Sequence, residues 1–303
     1  MIKKLFCLLL ALCTLFCCFA CKKEEPNSKF DAVPTLESLY IIGTSNNETV
    51  VSENYDFPWS QTSFQNDIAE PSVTVEVLGI TYTGEYKDSM IYKLNSFTTD
   101  YYRCEDGAYI GIRSDTGVFQ SINLMTNSFF ETEPLLPDVE EPQKYAIDYG
   151  KSIASQYVNI DDYHLVESTS SPYEIRKDGI KYEMTFYYVT YAKIINGLQT
   201  SDYISIKLTS KGNVAAITLG DIGAFDSYSG VASVNSNETV ISNAMMSVVS
   251  TDVGEYQSHE VSDQKLTKLP NGEVMVFSYV NVNYTNARGK ASEQTIGVLV
   301  PTQ

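Results

Sequence analysis

The 303-residue chain carries 38 acidic and 21 basic side chains, a formal net charge of −17. That balance argues against nucleic acid, whose binding rests on Lys and Arg neutralising phosphates, and against adhesion to anionic lipid through a basic patch. Five of the six cysteines fall in the first 21 residues, so Cys104 stands alone beyond them. One thiol makes neither an internal disulfide nor a cysteine metal site, and it reads as a small buried hydrophobe.

Residues 1–21 read as a targeting segment. Lys3 and Lys4 form a charged start, and Leu5 to Phe19 is an apolar run without charge. The run is too short for a comfortable membrane span, which takes about 20 apolar residues. Cys21 follows the small residue Ala20, and Lys22-Lys23-Glu24-Glu25 ends the hydrophobicity. The segment resembles a bacterial lipoprotein signal, which is cut just before a cysteine that receives lipid. Cys18 stands where such signals usually carry Leu, a departure. Cys18 as the acceptor puts Leu15 in that place but bulky Cys17 before the cut. The resemblance implies lipid attachment at Cys21, with palmitate, and a chain held at the extracytoplasmic face of the cell membrane. An ordinary secretory signal is the alternative. Residues 22–34, KKEEPNSKFDAVP, are a polar tether.

Within 35–70, TLESLYII has strand character and Val50-Val51 marks another short strand, while Trp59 lies in a Pro-flanked loop and caps a core edge. Residues 71–131 read as all-β. Val73, Val75 and Val77 alternate onto one face, MIYKLNSF and DYYRC follow, and GAYIGIRSDTGVFQSINL makes two strands joined at Asp115-Thr116-Gly117. Residues 132–144, with three prolines and four acids, are a linker. A helix is predicted over 142–157. Pro142 suits its first position, and Tyr145, Ala146, Tyr149, Ile153 and Tyr157 form one apolar stripe. Strands follow at 163–168, 181–195, 202–208 and 214–219, with a type I′ hairpin at Asn196-Gly197 and a turn at Lys211-Gly212-Asn213. Residues 220–235 are rich in Gly and Ser. A second helix starts at a Ser236 or Asn237 cap and buries Val240, Ile241, Ala244, Met245, Val248 and Val249. SHEVS, the LPNGE turn, VMVFSYVNVNYTN and EQTIGVLVP complete the chain.

The two helices and their strands look like a loose internal repeat, with GAYIGIRSDTGVFQSI standing in the first block where DYISIKLTSKGNVAAI stands in the next. INGLQTSDYISIKL followed by SKGNVAAI resembles the PepSY-type and YcdB-type repeats of bacterial extracytoplasmic lipoproteins, well over 142–220, moderately over 236–300 and weakly over 71–125. The resemblance implies an α+β fold of tandem cystatin-like modules, each a helix packed on an antiparallel β-meander, preceded by a β-rich N-terminal module. The divisions expected are 1–21, 22–70, 71–131, 132–220 and 221–303. It also implies a regulatory role toward an envelope peptidase or sensor protein, and it carries no shared catalytic residues.

The chemistry-bearing residues are sparse. His164 and His259 occupy matching places in the two repeat units and read as structural. No H-E-x-x-H, C-x-x-C or Walker motif occurs. Ser262 and Lys265 fit S-x-x-K, but the K-T-G partner is missing, since 114–117 read SDTG. Asp161, Asp162 and Asp221 lack a calcium-loop spacing. No catalytic, metal or cofactor residue is assigned. The 22 tyrosines exceed what one helix can cover, so an exposed strand face bearing Tyr187, Tyr191 and Tyr203 is the candidate binding surface. The reading is a non-enzymatic, lipid-anchored binding or regulatory protein with an envelope protein or peptide partner and no nucleic acid. An envelope polymer hydrolase and a solute-binding transporter subunit are the alternatives.

Overall fold

The computed structural model describes residues 39–45, 48–53, 62–91, 97–177, 180–230, 254–269 and 272–302. The signal segment with Cys21, the tether, Trp59 and the predicted second helix lie outside these residues. In chain order the described strands are β1 (Leu39–Ser45), β2 (Glu48–Glu53), β3 (Thr62–Phe64), β4 (Ser72–Val77), β5 (Ile80–Ile91), β6 (Thr98–Cys104), β7 (Tyr109–Arg113) and β8 (Phe119–Asn123). Two helices follow, α1 (Asn127–Thr132) and α2 (Pro142–Ala154). The remaining strands are β9 (His164–Lys177), β10 (Ile180–Ile195), β11 (Leu198–Thr209), β12 (Val214–Leu219), β13 (Gly254–Lys268), β14 (Val274–Asn286) and β15 (Ala291–Pro301).

All fifteen strands belong to one mixed sheet. This overturns the α+β expectation of tandem cystatin-like modules, each closed around its own helix. The reason is visible at β12, the strand VAAITL. A module ending there needs a blunted edge, with charge, Pro or a bulge to stop further pairing. VAAITL carries no charge, and Val214, Ala215, Ile217 and Leu219 are all buried. It is a central strand, pairing with β11 on one side and with β8 on the other, Ala216 opposite Asn123 and Thr218 opposite Ser121. The meander of 72–123 therefore runs on into that of 164–219. At its other end the sheet forks. The edge of β11 that takes β12 at Ile204–Leu208 takes β13, in parallel, at Gln199 and Thr200. β14 and β15 continue from β13, and β1 joins β15 in parallel.

Local signals explain most elements. α2 begins at Pro142 as expected and stops at Ala154, three residues early; Glu141 at its N-cap has φ 46° and makes no side-chain cap. Its buried positions are Ala146, Gly150, Ile153 and Ala154. A methyl at Gly150 would sit 3.5 Å from the Val189 side chain, ordinary van der Waals contact, so alanine would fit there too. Asn196 and Gly197 have φ of 52° and 81°, as a type I′ turn requires. β9 is far longer than predicted and runs through Pro172, whose missing N–H an edge strand tolerates because only one neighbour, β10, draws on its ladder. α1 was not expected; Thr126 caps it by accepting the Phe129 N–H at 3.2 Å.

One core spans the joined meanders on the face that carries α2. Tyr102, Ile110 and Ile122 from the first share it with Ile153, Val189, Ile204, Ile206 and Ile217 from the second. Phe119 of β8 stacks on Tyr157, just past α2, with ring centroids 5.6 Å apart. Cys104 lies in this core, 7% exposed, and burial raises its thiol pKa. Each fully buried Ile contributes roughly 1.5–3 kcal/mol relative to exposure.

Candidate functional site

The reverse face of the sheet, opposite α2, is built by strand alternation. Where Ile110, Ile122, Ile217 and Leu219 enter the core, the residues between them turn the other way. Register then lines them up in two rows across the strands. The first row runs Asp88, Tyr101, Gly111, Ser121, Thr218, Ser205, Thr190. The second runs Arg103, Tyr109, Asn123, Ala216, Lys207, Tyr188. One row is thus mostly small hydroxyl residues, and the other has a tyrosine toward each end.

α1 covers one end of this face. Phe129 and Phe130 pack with Met184, Phe186, Ala215 and Tyr188, and Lys207 sits 4.2 Å from the Phe186 ring centroid. Buried Glu133 fastens the helix, taking the Thr209 hydroxyl and the Asn213 amide, the latter at 2.9 Å. Beside it lies a cleft of 520 Å³ lined by Asp88, Met90, Tyr101, Tyr109, Ser121, Asn123, Ala216 and Thr218, with Ile122. Gly111 stands between the lining residues Tyr101 and Ser121 in the first row, and a Cβ there would meet Ser121 Oγ at 2.4 Å and Thr99 Cγ2 at 3.0 Å. Tyr109 is 39% exposed, with the Arg103 guanidinium 5.8 Å from its ring centroid. The Ser121 and Thr218 hydroxyls make no hydrogen bond to another described residue.

A second cavity, of 500 Å³, lies between Asp138, Glu174, Lys181, Glu183 and Ser210. Its charges are matched internally. Asp138 pairs with Lys211 at 2.8 Å, and Lys181 bridges Glu174 and Glu183 at 2.8 and 2.7 Å. Hydrogen bonds from Lys211 and Ser210 hold the Asp138 carboxyl below its ordinary range. An incoming ligand would have to displace these partners.

The three tyrosines predicted as a binding surface do not share a face. Tyr191 pairs with Ile204, and Tyr203 with Ala192, so Tyr191 and Tyr203 lie on opposite sides of the sheet. Tyr191 is only 3% exposed, donates to the Ile147 carbonyl at 2.8 Å, and has its pKa pushed up to about 12 by burial. Tyr187 packs half-buried in the same core. Tyr203 is half-buried on the reverse face, its ring over Gly220, where a Cβ would meet it at 2.5 Å. The residues that line the cleft, Tyr101 and Tyr109, were missed. Their signal was present: in DYYRC and GAYIGIR one tyrosine of each alternates with buried Tyr102 or Ile110.

His164 is exposed at the start of β9, and His259 lies within β13 with Nδ1 2.8 Å from the Tyr256 hydroxyl. Lys265 of the S-x-x-K match sits on a strand, not on a helix. Among the described residues no group of three His, Cys, Asp or Glu could hold a metal ion, and no helix is long and apolar enough to cross a membrane. No protein-family model, curated protein or solved structure matches the chain.

Proposed function

We propose that the protein is a lipid-anchored, extracytoplasmic binding protein that holds its ligand in the reverse-face cleft without chemical turnover. The observation that carries this reading is the cleft itself: half-exposed tyrosines beside Ser121 and Thr218 hydroxyls unclaimed by any described residue, with small Ala216 between Asn123 and Lys207. Such a lining of aromatic area with a few convergent polar groups is typical of ligand sites. Among the described residues, Asp88 is the one carboxylate that lines it. The anchor rests on the sequence: small Ala20 before Cys21, then a polar tether.

Labelled palmitate is expected in the wild type and absent from Cys21→Ser. Label that persists in Cys21→Ser and is lost in Cys18→Ser moves the anchor. For the cleft, immobilised protein is expected to retain a specific component of envelope extract that Tyr109→Ala releases. Tyr109 is exposed enough for the variant to melt like wild type. Turnover of an envelope polymer or peptide that Asp88→Asn abolishes would replace this reading with the hydrolase.

A further inference from the structure

We propose, resting on the cleft reading above, that the ligand is a neutral saccharide chain lying across the strands along the hydroxyl row. Three observations lead there.

The first concerns what the backbone can offer. Strands β6, β7, β8 and β12, which underlie the cleft, are each paired on both sides. Their N–H and C=O groups are spent on the sheet ladder. An extended peptide draws its affinity from backbone pairing at a sheet edge, and this surface is the middle of a sheet. Recognition must run through side chains alone.

The second concerns those side chains. Ser121 and Thr218 hydroxyls both donate and accept, the Asn123 amide does both through separate atoms, and Asp88 accepts. A sugar ring presents the matching pattern, hydroxyls around its rim and an apolar C–H face. Tyr101 and Tyr109 supply flat area for that face and cost little side-chain entropy, having two χ angles. The hydroxyl row advances one strand at a time, about 4.8 Å per step. This is close to the rise of one residue in an extended glycan, so the Ser121 and Thr218 hydroxyls on adjacent strands meet successive sugars.

The third concerns charge. The chain carries −17 overall, and the two cations of the second row, Arg103 and Lys207, sit by the rings of Tyr109 and Phe186. The overall charge works against a polyanion, whereas an uncharged polyol is indifferent to it.

The test is calorimetric titration of the full chain, solubilised with its anchor in detergent, with maltohexaose, cellohexaose and N-acetylchitohexaose. Oligogalacturonate serves as the anionic comparison. At least one neutral oligosaccharide is expected to bind, about tenfold or more weaker to Tyr109→Ala, as loss of one aromatic anchor gives. Ser121→Ala is a second, milder variant whose side chain is smaller and fits the floor; it should weaken binding without shifting the melt. Binding of none of the three neutral probes overturns the proposal, as does equal binding to wild type and both variants, or tighter binding of oligogalacturonate. If saccharides fail while an extract component is still retained by wild type and released by Tyr109→Ala, the saccharide assignment falls and the cleft reading stands.

Discussion

Asp202→Ala is expected to destabilise the protein by about 3–5 kcal/mol, the cost of leaving partners of a buried charge unmatched. Asp202 is fully buried. It takes the Tyr163 hydroxyl on one oxygen and the Gly223 N–H, at 2.9 Å, on the other, with Lys193 Nζ 3.8 Å away. The start of β9, the end of β10 and the turn after β12 therefore meet on one carboxylate. That turn carries Phe225, 2% exposed, which packs with Leu198, Leu266 and Val276 at the fork. Only two residue pairs join β13 to β11, so the turn does much of the work of holding the C-terminal strands in place. Amide exchange at Gly223 and along β13 should rise first in Asp202→Ala. Exchange that rises uniformly, or a loss below about 1 kcal/mol, the value of one ordinary hydrogen bond, would remove Asp202 from this role.

The same residue gives a pH signature. Burial raises the Asp202 pKa above 3.8, against the downward pull of Tyr163, the Gly223 N–H and Lys193. An acid with a raised folded pKa binds its proton more tightly when folded. Its contribution to stability is full below the unfolded value and is lost as pH rises through the raised one. Asp202→Asn does not titrate, and its amide can still serve both Tyr163 and Gly223. The stability gap between wild type and Asp202→Asn is therefore expected to be widest below pH 3.8 and to narrow as pH rises. A gap that widens with pH contradicts the burial argument.

How far the sequence could be read follows from what its patterns encode. β12 and β14 match their predicted spans, and β10 starts one residue early, because runs of alternating Tyr, Val and Ile between Gly-bearing turns mark strands locally. Alternation tells which residues of a strand share a side. It does not tell which strand comes next. Ala216 and Asn123 are neighbours in the sheet across more than ninety residues of chain, and nothing local announces the pairing. The absence of charge in VAAITL was the one legible hint that β12 is not an edge. The misplaced tyrosine surface has a different origin, because here the turn was legible. A two-residue turn at Asn196-Gly197 already sets Tyr191 and Tyr203 on opposite faces, and the irregularity between Ala192 and Ile194 shifts the register by two residues, which leaves their facing unchanged. Resemblance to a helix-and-meander repeat drew attention to the Tyr-rich run, while the cleft formed on the less aromatic strands beside it.

Ile110→Ala should lower stability by about 3 kcal/mol, the usual loss for a fully buried Ile cut to Ala, and the loss should not stay in its own meander. Ile110 is 0% exposed on β7, and its core includes Ile153 of α2 and Ile206 of β11. If 71–131 were a module with a separate core, the variant would loosen β6, β7 and β8 and leave α2 and β11 protected. In one shared core, amide protection in α2, β10 and β11 falls together with that in β7, and unfolding remains one transition for this half of the sheet. Ile206→Ala should produce the mirror result, exposing β7 and β8. The two variants combined should depart from additivity, since both open the same packed cluster. Independent loss of protection in the two stretches would restore the modular picture. The outcome also bears on the cleft, because Ser121 comes from one stretch and Thr218 from the other, side by side across the β8–β12 join. Ligand binding should therefore be lost in the same transition that removes protection from both stretches.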